Sequence, residues 1–481
     1  MQKIKEFIKS KQFQYTILGL FVLQGVYFSA VINYKVPSDE EFHYLLTKYH
    51  AERPILSGPI ISDQTDNFVL GDIQRLPSHL YHYITSFYLR GVMVFSGNQE
   101  VQLFMLRLVN VALGVMALLM LIGVFKRINK SQLTINLTIA WLTLTGMFVW
   151  VFAGLSYDNL SILLFFYLLY ELIGLKNDLN IKHLLVSVST GLFLVLVKET
   201  YVPIVILSFL MLLGWHIKQQ GLKASIHKLC TSSRKSWKSS RFVLVALITT
   251  TIIFSGLFVE RYVQNYVRYG KVTPTCSQVH SEDECMQNSI YRRNTGTRKE
   301  FLAAKQAGNV QLDNIGKFTK QWVGLIYERT YFYRGHQTLI DTASSRAVAS
   351  VSAILIVLLL LYSLVTSKGF SAVSWALAIL TIVYILLVFL YNLNTYHFYG
   401  YPFAIQGRYL LPVLPFVYMG IVSSLVALYS RLSSHLRTAL VIVTILLVVA
   451  NLVVHTPYFI YQEGKEILDA PVISMSTNKL S

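Results

Sequence analysis

Charge is what this sequence has least of. Charged side chains make up 14% of the 481 residues, against about 25% in ordinary soluble domains, too few to cover a soluble surface around so much apolar sequence. Acidic residues are the scarcer kind, 24 against 42 basic, leaving a net charge of +18. No recognised nucleic-acid-binding motif accompanies that excess, so a nucleic-acid partner is not expected. There is no internal repeat of the kind an inverted-repeat transporter shows. No tight His or Cys spacing marks a metal site: His79, His82 and His397 are scattered, and neither a metal nor another cofactor is expected. The first apolar run is not followed by a small-residue cleavage site, so its Lys-rich leader reads as an uncleaved signal anchor.

What is abundant is apolar sequence, 54% of the residues, with a mean hydropathy of +0.50. It falls into about eleven runs long enough, or nearly so, to cross a hydrocarbon layer of roughly 30 Å, which takes about 20 helical residues. They lie near 14–33, 101–125, 133–153, 160–175, 184–197, 201–215, 242–259, 348–366, 371–391, 409–430 and 438–454. Helices are the natural spanning form because each satisfies its own backbone hydrogen bonds. The expected fold class is therefore an all-α polytopic membrane protein. The fifth and sixth runs are separated only by Lys198, Glu199 and Thr200, which fits either a tight outer hairpin or one interrupted helix.

Basic residues in short loops set orientation, because such loops stay in the cytoplasm. Lys3, Lys5, Lys9 and Lys11 precede the first run, and Lys126, Arg127 and Lys130 follow the second. Lys176, Lys182, the basic stretch 218–241, Lys368, Arg431 and Arg437 fall on that same side when the runs are threaded in order. The expected topology has the N-terminus inside and the C-terminus outside, with anionic headgroups balancing the inner charge. Two outer segments are then too long to be turns. Residues 34–100 belong to an N-terminal membrane module (1–259) and include an aromatic amphipathic piece, 77–95, expected to lie along the membrane surface. Residues 260–347 form a lobe with helical signals such as 298–307, and 348–481 form a C-terminal membrane module. Cys276 and Cys285 lie in the lobe, nine residues apart and outside the cytoplasm, so a disulfide is expected; Cys230 lies in an inner loop and should stay reduced.

Chemistry concentrates in the outer segments. Just beyond the first run the chain reads Pro37-Ser38-Asp39-Glu40-Glu41-Phe42-His43. Helical spacing puts Asp39, Glu40 and His43 on one face, with Ser38 able to cap the helix and Glu41 to complete a capping box. The same cluster also fits an acidic first turn that merely complements the helix dipole. A second polar segment, Gln406-Gly407-Arg408-Tyr409-Leu410-Leu411-Pro412, stands at the outer mouth of the tenth run. Ser156-Tyr157-Asp158-Asn159 and Lys198-Glu199-Thr200-Tyr201, followed by Pro203, mark two further outer ends. Each has a plain alternative: Arg408 as an interfacial anchor, Lys198 and Glu199 as a local ion pair, Asp158 as a helix cap. The stretch 391–401, YNLNTYHFYGY, together with Tyr81, His82 and Tyr83, suits either an interfacial aromatic belt or a platform for sugar rings and an isoprenoid tail.

An acidic P-x-D-E-x-x-H type motif directly after a first membrane helix, with a late Q-G-R-Y-L-L-P segment, resembles the GT-C superfamily of membrane glycosyltransferases, which take sugars from polyprenyl-phosphate carriers. The resemblance covers the layout of the whole chain but only these four short segments in residues, and the chain departs from the family in lacking a D-x-D pair. It implies a catalytic base at Asp39 or Glu40, Asp39 leading the motif, with His43 beside it. It implies a phosphate clamp at Arg408 helped by Lys198, and a substrate-binding surface including Gln406, Tyr409 and Asp158. Physical chemistry asks for the same parts: a carboxylate to accept the acceptor's proton, and cations to stabilise the departing phosphate. By size and layout the chain resembles serotype-converting enzymes that add a glucosyl branch to lipid-linked O-antigen at the periplasmic face of the bacterial inner membrane. The expected partners are thus a polyprenyl-phosphate sugar, a glycan or lipid-linked acceptor, and the bilayer. A mannosyl- or aminosugar transferase, a flippase for lipid-linked sugars and a polymerase or ligase of such saccharides are the competing readings.

Overall fold

The computed structural model describes residues 2–32, 39–54, 80–287, 289–331, 333–334, 337–338, 371–433 and 435. Helices carry almost all of it. α1 (Gln2–Lys9) and α2 (Lys11–Val31) lead to α3 (Glu40–Ala51) and α4 (Leu80–Phe95), followed by α5 (Gln99–Arg127), α6 (Gln132–Thr143), α7 (Gly146–Ala153), α8 (Tyr157–Asn177), α9 (Ile181–Val197), α10 (Val202–Gln220) and α11 (Leu222–Phe258). Short helices α12 (Gln264–Tyr269), α13 (Cys276–Val279) and α14 (Glu282–Gln287) precede α15 (Ser289–Gln306) and α16 (Ile315–Tyr331). A two-residue antiparallel pair, Tyr333–Arg334 with Gln337–Thr338, is the one strand pairing among the described residues. α17 (Ala372–Tyr399) and α18 (Leu414–Arg431) complete it.

Seven of these helical segments are long and apolar enough to cross a membrane, and α6 with α7 adds an eighth if that bent pair is one span. The protein is a multi-pass membrane protein. Nine of the eleven apolar runs are thus helical, counting the 17-residue α9; the runs near 348–366 and 438–454 lie outside the described residues. Helix starts follow local chemistry. Ser10, Asn98, Ser131, Ser156, Asn180 and Ser371 each accept a backbone N–H of the first turn from the N-cap position, and Pro203 sits in the first turn of α10, where its missing N–H costs nothing.

Two runs differ from their simplest reading. The run 133–153 is broken by a 66° bend between α6 and α7. There Thr145 is extended, and its hydroxyl bonds Trp141 O at 3.0 Å and the Tyr418 hydroxyl of α18 at 2.8 Å, so side-chain bonds replace part of the helical ladder. At the junction of the fifth and sixth runs, a single 3₁₀ turn (Glu199–Tyr201) separates α9 from α10. Lys198 at the end of α9 meets Asp158 at the start of α8, so those two helices run antiparallel. Tyr201 packs on Phe165 and His216 hydrogen-bonds Leu175 O, so α10 runs along α8 in the same direction. The junction is a hairpin, not one interrupted helix.

α5 packs along α8 and α2, and the core is built around Phe21, Phe148, Phe152, Phe165 and Phe166. Gly114 of α5 lets it close: a Cβ there would stand 2.6 Å from Phe21 and 2.8 Å from Phe152. α16 docks on α17, with Phe318 against Tyr396 and Trp322 Nε1 donating to Asn392 Oδ1 at 2.9 Å. Arg298 of α15 lies over Phe398 at 3.8 Å. Much of the aromatic stretch 391–401 is therefore spent holding α15 and α16 onto α17. Cys276 and Cys285 are joined by a disulfide, while Cys230 is a free thiol exposed on α11.

Candidate functional site

The end of α2 and the start of α3 are tied together by one buried guanidinium. Arg107, in the first half of α5, donates Nε to Glu40 Oε1 at 2.9 Å and Nη2 to Oε2 at 2.5 Å, while its Nη1 caps the carbonyls of Ser29 (3.0 Å) and Ile32 (2.6 Å) at the end of α2. Glu40 Oε1 also accepts Leu155 N, just before α8, at 2.9 Å. Glu40 is fully buried, and both its oxygens are engaged. A paired, desolvated carboxylate of this kind holds the backbone around it in place.

Asp39 is placed quite differently. It is the N-cap of α3 in the left-handed region (φ 65°, ψ 9°), which Asp tolerates better than most residues. Its own carboxylate makes no cap, and Ser38, on which the expected capping box rests, lies outside the described residues. The Asp39 side chain remains 46% exposed and pairs with Arg408, Nη2 to Oδ2 at 2.8 Å. Arg408 Nε also faces Asp158 Oδ2 at 3.7 Å, and Asp158 in turn holds the Lys198 ammonium in direct contact. The ammonium lies 5.4 Å from the Tyr157 ring centre and 5.5 Å from that of Tyr409. Four chain segments, from the starts of α3 and α8, the end of α9 and the turn before α18, thus converge on two cations and two carboxylates. Asp158, Lys198 and Arg408 are at most 14% exposed, so Asp39 is the member that meets solvent. Burial opposes ionisation of Asp39, but the charge and hydrogen bond of Arg408 outweigh it and hold the carboxyl below its usual range.

Arg408 is positioned by the turn before α18. Asn392 donates to Ala404 O at 3.1 Å, Tyr409 N bonds Gln406 O at 3.2 Å, and Arg329 of α16 donates to Ile405 O. Gly407 presses against α16: a Cβ there would lie 2.5 Å from Thr330 Oγ1 and 2.6 Å from the Arg329 carbonyl. The glycine of the Gln406–Tyr409 segment is required by this approach.

His43 follows in the first turn of α3, its N–H bonded to Asp39 O at 3.0 Å. Its ring turns to α4: Nδ1 lies 2.8 Å from His82 Nε2, the two rings stack 5.1 Å apart, and Tyr157 packs edge-on at 4.9 Å. Burial pushes His43 down to about 4, against the pull of the neighbouring carboxylates, so it is neutral at physiological pH. Among the described residues no group of three or more His, Cys, Asp or Glu side chains could hold a metal ion. Two members of this arrangement escape sequence reasoning. Arg107 left a signal, a lone cation inside an apolar run; His82 left none that distinguished it from other aromatic-belt residues.

No protein-family model matches the chain, and no curated protein matches it in sequence. Solved structures do match in shape. The archaeal oligosaccharyltransferase AglB from Archaeoglobus fulgidus, in complex with an inhibitory peptide and a dolichol-phosphate, aligns at 13% identity with a TM-score of 0.50, over 94% of this chain and 56% of that one. The apo form of the A. fulgidus oligosaccharyltransferase aligns at 12% identity and a TM-score of 0.48, again over 94% and 56%. The fold is GT-C. The chain spans little more than half the length of these neighbours, and at such identity the likeness extends to the fold alone.

Proposed function

We propose that this GT-C-fold protein is a glycosyltransferase that moves a sugar from a polyprenyl-phosphate carrier to a hydroxyl of a glycan or lipid-linked acceptor. The observation that carries the reading is the convergence of Arg408 and Lys198 on Asp39 and Asp158, with Asp39 open to solvent. A fold neighbour bound to a dolichol-phosphate fits a phosphate-bearing lipid as ligand. In the free protein the two cations are neutralised by the two carboxylates. A donor phosphate reaching Arg408 competes with Asp39 for the guanidinium, so donor binding frees the base at the moment it is needed. Asp39 then takes the acceptor hydroxyl's proton as that oxygen attacks the anomeric carbon. The bond from that carbon to the phosphate oxygen breaks, and the electron pair leaves with the lipid phosphate, stabilised by Arg408 and Lys198. Arg suits the clamp because its planar fork can bind two phosphate oxygens. Glu40 acts through position, holding the start of α3 where Asp39 meets Arg408.

The finer reading is a glucosyl donor, an O-antigen or lipopolysaccharide acceptor, and a bacterial inner membrane with the site on its periplasmic face, where the charge bias would put the outer helix ends. The test is transfer from radiolabelled polyprenyl-phosphate glucose to lipid-linked O-antigen by the reconstituted protein, with mannosyl and aminosugar donors in parallel. Labelled acceptor supports the reading, and the most active donor names the sugar. Movement of the carrier across the bilayer with no glycosylated product from any donor would make the protein a flippase and overturn it.

A further inference from the structure

α11 is one 37-residue helix by its hydrogen bonds, but Ser240 inside it is not helical (φ −160°, ψ 56°). Beyond that break, the second half of α11 is apolar enough to span. The first half, 222–239, crosses the turn between α8 and α9: Ser232 Oγ accepts Ile181 N at 3.1 Å, Lys228 pairs with Asp178 at 3.7 Å, and Lys182 reaches Ser240. Asp178 closes the C-terminal end of α8, whereas Asp158 opens its N-terminal end. Twenty-one helical residues separate the two by roughly 30 Å, so 222–239 lies at the opposite end of the bundle from the Asp39 site.

At 100° per residue, 222–239 divides into three sectors. Ser225, Leu229, Ser232 and Ser236 face the protein, all buried or partly so. Next to them an exposed apolar stripe carries Leu222, Ile226 and Trp237, with the thiol of Cys230 at its margin. The remaining arc carries Lys223, His227, Arg234, Lys235 and Lys238, all exposed, and no acidic residue occurs anywhere in α11. A helix lying only in water has no use for exposed Trp and Ile beside a one-sign basic arc, and a spanning helix cannot carry that arc through hydrocarbon.

We propose that 222–239 is an in-plane anchor whose apolar stripe enters the bilayer surface and whose basic arc binds anionic phospholipid headgroups. The partner is the leaflet at this end of the bundle, chosen by charge complementarity and by continuity of the segment with a membrane span. Each basic residue near an anionic surface contributes about fivefold to such docking.

Cys230 supplies the probe. Full-length protein carrying an environment-sensitive fluorophore on that thiol is placed in nanodiscs of phosphatidylcholine, with and without phosphatidylglycerol. Docking predicts blue-shifted emission and protection from acrylamide in the anionic discs, with both effects reversed by high salt in the unmutated protein. Replacing Lys223, Arg234, Lys235 and Lys238 with Gln should abolish the difference between the two lipids. Identical spectra in both discs, or a lipid difference that survives the fourfold substitution, would overturn the proposal. So would an equal blue shift on adding polyuridylate to neutral discs, which would make the basic arc a site for soluble polyanions.

Discussion

Arg408 and Asp39 are joined at 2.8 Å although 369 positions of sequence separate them. The cation expected to hold the donor phosphate therefore already holds the carboxylate expected to act as base. Each keeps the other from standing uncompensated in a partly desolvated site, and the pair links donor binding to base release.

Asp39→Asn keeps shape and loses basicity. If Asp39 is the general base, kcat should fall by about 10²–10⁴-fold, while donor binding survives because Arg408 is no longer held by a carboxylate. Steady-state kinetics with a labelled donor separates the two effects, and a wild-type kcat would remove Asp39 from the chemistry.

Arg408→Lys keeps charge and loses the planar fork. We expect kcat/KM to drop by about 10²–10³-fold, as for loss of one preorganised donor to a developing oxyanion. The pH dependence should move as well. Arg408 holds the Asp39 carboxyl below its usual range, so weakening that contact should shift the acid limb of the free-enzyme profile to higher pH. An acid limb that stays in place would show that Asp39 does not set it.

Glu40→Gln should act on the fold. Breaking a buried pair by removing one partner costs about 3–5 kcal/mol, and Glu40 and Arg107 are at most 3% exposed. Thermal unfolding in detergent should show that loss for Glu40→Gln and Arg107→Ala, and should show little change for Asp39→Asn. A stable Glu40→Gln protein without activity would reverse the roles assigned to the two carboxylates.

His43 gives a pH signature. Its pKa falls from 6.5 in the unfolded chain to about 4 in the fold, so between those values the unfolded state binds more protons. The stability that neutral burial supplies is complete above about pH 6.5 and is lost as pH falls toward 4, up to about 3 kcal/mol in all. His43→Gln should flatten that part of the melting-temperature profile; an unchanged slope would assign it to other groups.

Gly407→Ala tests how Arg408 is placed. The added methyl meets the Arg329 carbonyl of α16, and backbone cannot yield as a side-chain tip can. Displacing a binding group by about 1 Å can cost on the order of 10²-fold, so activity should fall further than stability. Equal losses in the two would make Gly407 a packing residue only.

The sequence by itself determined the class of this protein, because hydrocarbon demands long apolar helices and those are local patterns. Nine of the apolar runs are helical, and helix starts at Ser156, Asn180 and Pro203 could be read from the residues on the spot. Also legible was which helix ends carry polar chemistry, since Asp39, Asp158, Lys198 and Arg408 all fall on one side when the runs are threaded in order, and they do meet there. Only the tertiary structure decided how those groups pair. Asp39 and Glu40 are adjacent and nearly identical in chemistry; one is open beside Arg408 and the other is sealed against Arg107, because their partners arrive from α5 and from the turn before α18. The bend between α6 and α7 depends likewise on Tyr418 from α18, and the His43 partner comes from α4. Burial and pairing are set by residues tens to hundreds of positions away, and no local pattern carries that information.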